Sequence, residues 1–87
     1  MTLKIEKTSG RRRTIVRLIG RVRAEDLSEV ARQLEGSGPV TVLQLDEVTL
    51  VDVDVVRFLN RCEADGIRLV NCSPYIREWM SREQKRN

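Results

Sequence analysis

The sequence contains no histidine, so the commonest general base and the commonest transition-metal ligand are both missing, and no His-containing triad can form. Its two cysteines, Cys62 and Cys72, are too few for a disulfide framework, form no CxxC pair and lack the spacing of zinc ligands. Both read as reduced thiols. Neither GxxxxGK[ST] nor GxGxxG occurs, which leaves the backbone cradles of nucleotide enzymes without support. No apolar run approaches the ~20 residues of a bilayer span, and the N-terminus lacks the apolar segment of a secretion signal. Cytoplasmic location without direct membrane insertion is expected. Only Phe58, Tyr75 and Trp79 are aromatic, so aliphatic side chains must fill the interior. The acid pairs Asp46/Glu47 and Asp52/Asp54 read as capping and dipole chemistry rather than acid-base catalysis. No metal, no cofactor and no enzymatic activity are expected.

What is present fits a small layered α/β protein. A chain of 87 residues and 10.0 kDa buries only about 60 to 65% of its unfolded surface, enough for one core and a single domain over residues 1–87. The net charge of +3 comes from 16 basic residues against 13 acidic ones, and only Arg11, Arg12 and Arg13 form a run. That run suits a solvated turn between strands, or a contact with phosphate or an acidic partner. No aromatic platform or nucleic-acid motif accompanies it, so nucleic acid is a disfavoured partner.

Apolar and polar residues alternate from Leu3 to Glu6, which predicts a strand broken by Thr8, Ser9 and Gly10. A second strand follows from Thr14 to Ile19 and ends at Gly20, forming an antiparallel hairpin with the first. From Ala24 to Glu35 the period changes: Leu27, Val30, Ala31 and Leu34 share one helical face, with Glu25 and Asp26 at the positive end of the dipole. Gly36 to Pro39 form a turn, and Val40 to Leu45 read as a central strand. After an Asp46 to Val51 connection, Asp52 caps a helix whose apolar face holds Val55, Phe58, Leu59 and Cys62, and Gly66 stops it. Ile67 to Asn71 make a fourth strand. Ser73 and Pro74 start a last helix with Ile76, Trp79 and Met80 on its apolar face, followed by a polar tail, 81–87. The order is β-β-α-β-α-β-α, a four-stranded mixed sheet with an antiparallel edge and helices mainly on one face.

The stretch from Leu43 to Val56, LQLDEVTLVDVDVV, resembles the strand, connection and switch-helix start of the STAS family of sulfate transporters and anti-sigma factor antagonists, usually written L-D-L-S-x-V-x-x-x-D-S-S-G-L. Leu18-Ile19-Gly20 resembles that family's strand-ending glycine, and Gly66 to Asn71 with Ser73-Pro74 resembles its later strand and helix start. The resemblance implies a STAS-like fold and a non-catalytic binding module. The family's regulatory serine falls on Asp54, its neighbouring serine on Val53 and its glycine on Val55, while Asp52 is retained and Gln44 replaces the strand's usual acid.

Asp54 is therefore a degenerate phosphosite that no kinase can switch as a serine. A phosphoserine carries about −1.5 to −2 charges and an aspartate −1, so Asp54 is either a partial mimic or simply a first-turn acid favoured by about 0.3 to 1 kcal/mol. The expected partner-binding residues are Asp52, Val53, Asp54, Arg57 and Arg61, with Val53 read as an exposed apolar neighbour of Asp54. The resemblance implies a protein partner, either an anti-sigma factor kinase or a transporter component, and allows a homodimer. A small nucleotide- or nucleic-acid-binding protein is the remaining alternative, prompted by the arginine excess.

Overall fold

The computed structural model describes residues 3–35 and 41–86. The expected turn at Gly36 to Pro39 and the strand start at Val40 lie outside the described residues. Strands β1 (Leu3–Ser9), β2 (Thr14–Val22), β3 (Thr41–Val51) and β4 (Arg68–Val70) form one sheet in the order β1-β2-β3-β4. The β1–β2 pair is antiparallel, closed by a Gly10–Arg13 turn in which the Gly10 N–H donates to the Arg13 carbonyl at 2.7 Å; β2–β3 and β3–β4 are parallel. A short 3-10 turn at Ala24–Asp26 leads into α1 (Leu27–Leu34), and α2 (Val53–Ala64) and α3 (Pro74–Arg86) complete the expected order.

Strand alternation decides which side is covered. Val16, Leu18, Leu43, Leu45 and Leu69 point to one face and make a single core with Val30 of α1, Val55, Val56, Leu59 and Cys62 of α2, and Ile76 and Met80 of α3. Two parallel connections of the favoured hand, taken in one direction along the sheet, place their helices on the same side. The opposite face, carrying Ile15, Arg17, Ile19, Val42, Gln44 and Val70, packs under none of the described helices.

Four expectations need correction. β1 continues through Thr8 and Ser9, which pair with Ile15 and Thr14. β2 does not stop at Gly20: it runs to Val22, with register shifts on either side of Ile19–Gly20 and with Gly20 at φ 101°, a conformation that glycine adopts without Cβ strain. Residues 46–51 are not a connection but the second half of β3, because Ile19, Gly20, Arg21 and Val22 supply ladder partners for Glu47, Val48, Leu50 and Val51. Residues 81–86 are the last turns of α3 rather than a tail, and Glu83, three residues after Met80, is buried on the same face. Gly66, at φ 94°, ends α2 as expected, and Ser73 Oγ accepts the Ile76 N–H at 3.3 Å.

Candidate functional site

Asp52 stands where β3 becomes α2, with extended backbone (φ −110°, ψ 178°) that suits an N-cap. Its Oδ1 accepts the Val55 N–H at 3.1 Å, so one orphan donor of the first helical turn is satisfied. Its Oδ2 accepts the Ala24 N–H at 2.8 Å. One carboxylate thus fastens the beginnings of two helical elements that are 28 residues apart in the chain. The helix expected from Ala24 opens with a 3-10 turn, in which the Asp26 N–H donates to the Arg23 carbonyl at 2.9 Å, while Ala24 N–H is held by Asp52 and Arg23 N–H by the Asp26 carboxylate at 3.0 Å.

Beyond the cap, Asp54, Arg57 and Arg61 lie at i, i+3 and i+7 and share the solvent side of α2, opposite Val55, Val56, Leu59 and Cys62. Asp54 is exposed and makes no hydrogen bond or ion pair with the described residues. Arg57 is half-exposed, and its Nε donates to Glu83 Oε1 at 3.1 Å, which orients the guanidinium while leaving its outer nitrogens open. Arg61 has no carboxylate partner among the described residues and lies over the Phe58 ring, 5.9 Å from its centroid. These two arginines, with Asn60, Ala64 and Gln84, line a surface hollow of about 680 Å³.

The seam between α2 and α3 sets this geometry. Arg57–Glu83 is its first rung; Asn60, which donates to the Met80 carbonyl at 3.1 Å and accepts from Gln84 at 2.8 Å, is the second. The third is a two-pronged Arg77–Glu63 pair at 3.0 and 2.8 Å, in which the guanidinium bonds hold the Glu63 carboxyl below its ordinary range. Sequence reasoning missed Glu83, although its spacing of three from Met80 and seven from Ile76 was a readable signal.

Val53 requires a correction, because it is half-buried and the side chain that is 50% exposed near this end is Leu50. The acid pair Asp46/Glu47, read as capping and dipole chemistry, instead pairs with Arg17, which also meets Glu6 at 3.8 Å. Burial raises both thiols, Cys62 to about 11, so neither is an activated nucleophile.

No family model and no curated protein matches the chain. Among solved structures it is similar to the anti-sigma factor antagonist SpoIIAA in its unphosphorylated form, with a TM-score of 0.62 and 18% identity over 94% of this chain and 80% of that one. The fold is STAS-like. Within that fold Asp52 is the cap at the start of α2, and Asp54 is two residues on, in the first turn. No helix of the described residues is long and apolar enough to cross a membrane.

Proposed function

We propose that this STAS-like protein is a non-catalytic protein-interaction module that presents the start of α2 to a protein partner, without a serine phosphoswitch. The observation that carries the reading is the exposed Asp54 carboxylate, without a partner among the described residues, on the helix face it shares with Arg57 and Arg61, in a chain with the fold of an anti-sigma factor antagonist. In this reading Asp52 holds the surface in place through its two backbone bonds, and Asp54, Arg57 and Arg61, with half-buried Val53 beside them, make the contact. The resemblance to the STAS-family antagonists implies a partner kinase bound by the unphosphorylated form and released by the phosphorylated one, so a permanent negative charge at position 54 points away from tight capture of an anti-sigma factor kinase.

The test is affinity capture on the immobilised chain, wild type against Asp54→Arg and Asp54→Ser, with circular dichroism confirming an unchanged fold. Loss of the captured partner with Asp54→Arg supports the surface. Equal capture of every partner by the wild type and Asp54→Arg rejects it. In a direct assay with a purified anti-sigma factor kinase, Asp54→Ser should bind more tightly than the wild type.

A further inference from the structure

The uncovered face of the sheet is not uniform. In its middle, next to Gln44, Arg17 gathers Glu6, Asp46 and Glu47, so the charge there is internally matched. At the hairpin end, Arg13 and Arg68 flank a hollow of about 350 Å³ whose floor is Ile15, Val42 and Val70, with Gln44 beside them. Arg13 and Ile15 also border a neighbouring hollow of about 510 Å³ lined by Arg11 and Arg12. No carboxylate lines either one, and none of the four arginines has an acidic partner among the described residues. Ile15, Val42 and Arg68 are consecutive cross-strand neighbours, so Arg68 stands two strand spacings, roughly 10 Å, from the β2 side of the hollow.

We propose that this end of the open sheet face is a docking site for an acidic segment of a protein partner, one that places an apolar side chain on Ile15 and Val70, beside the already buried Val42, and carboxylates against Arg13 and Arg68. Charge complementarity selects the acidic occupant: two guanidinium groups without an acidic partner among the described residues, those of Arg13 and Arg68, flank the floor, with Arg11 and Arg12 in the neighbouring hollow, and guanidinium groups bind carboxylates in a two-pronged geometry. The apolar floor and the absence of rings favour a peptide over a nucleic acid. Phe58, Tyr75 and Trp79 all belong to α2 and α3, so no ring on this face can stack a base. The site is separate from the α2 surface and stands whether or not Asp54 contacts a partner.

The experiment uses a fluorescein-labelled peptide of alternating Glu and Leu, followed by fluorescence anisotropy and by backbone amide shifts of the isotope-labelled chain. Binding should weaken with added salt, and the shifted amides should fall at residues 13–15, 42–44 and 68–70. Arg13→Glu combined with Arg68→Glu should weaken binding by about tenfold or more, the sum of two exposed ion pairs turned repulsive. Ile15→Ser should weaken the Glu-Leu peptide and leave a Glu-Gly peptide unchanged, while Asp54→Arg should affect neither. Shifts centred on α2, equal affinity for the Glu-Leu and Glu-Gly peptides, or tighter binding of a single-stranded DNA or of anionic lipid vesicles would each overturn the proposal. The amide map is made on the wild-type chain, so it decides the matter even where the double variant does not fold.

Discussion

Replacing Asp52 by alanine removes two backbone hydrogen bonds at once, and the structure sets the size of the loss. The Val55 bond is an N-cap, for which substitution by alanine costs about 1 kcal/mol. The Ala24 bond is shorter and charge-assisted, but its setting is exposed, so about 1 kcal/mol is appropriate rather than the upper end of the range for charged groups. Asp52→Ala should therefore lose about 2 kcal/mol, and since single contributions vary by severalfold, 1.5 to 3 kcal/mol is roughly the range to test. Asp52→Asn is the sharper probe. An amide has one oxygen, so it can keep only one of the two bonds and must set its NH2 against the other N–H. Its loss should fall between wild type and Asp52→Ala. Urea unfolding followed by circular dichroism reads both; with m near 1 kcal/mol/M for a domain of this size, the alanine midpoint should drop by about 2 M at constant m. Native-state hydrogen exchange should accelerate at the Ala24 and Val55 amides together. If Asp52→Asn matched the wild type, or if only the Val55 amide lost protection, the bond to Ala24 would contribute nothing and the two-element clamp would be wrong.

The Glu63–Arg77 pair predicts a pH dependence of definite sign. Because the folded Glu63 carboxyl is held below its unfolded value, chiefly by the Arg77 hydrogen bonds, its contribution is present above the ordinary carboxylate range and is lost as pH falls through the folded value. Glu63→Gln should flatten that acidic arm; both side chains are about two-fifths exposed, so the change should be well under 1 kcal/mol. Stability profiles of the two proteins that ran parallel into acid would contradict the pairing. Cys62, raised to about 11 by burial and 5% exposed, should resist a thiol-specific reagent in the native state near neutral pH and react fully in denaturant. Rapid native labelling of Cys62, located by peptide mapping, would show the α2 core to be open.

Much of the architecture was legible because its causes are local. The change from alternation in β1 and β2 to a spacing of three and four in α1 and α2 follows from the two backbone periods, and Asp52 and Ser73-Pro74 announce helix starts by the donors they can satisfy. Gly66 ends α2 because a residue at positive φ is needed there. The STAS-like resemblance rested on the same short-range features in order, and it located the fold correctly although three of four switch positions differ.

The remainder depends on what lies alongside. Residues 46–51 look like a polar connection until β2 is placed beside them, when Glu47, Val48, Leu50 and Val51 gain ladder partners, Asp46 and Thr49 fall at the register shifts, and Arg17 takes up the two acids. Gly20 reads as a stop because a lone strand gains nothing by continuing past it; paired on both sides, it becomes the irregular point of a longer strand. Val53 is half-buried and Glu83 buried for a related reason: periodicity assigns a residue to a face, but the neighbouring element determines how far that face is covered. Asp52 shows the division within one side chain. Its bond to Val55 spans three residues and follows from the amino-acid type at a helix start, whereas its bond to Ala24 spans 28 and exists only because the sheet brings the end of β2 beside the end of β3.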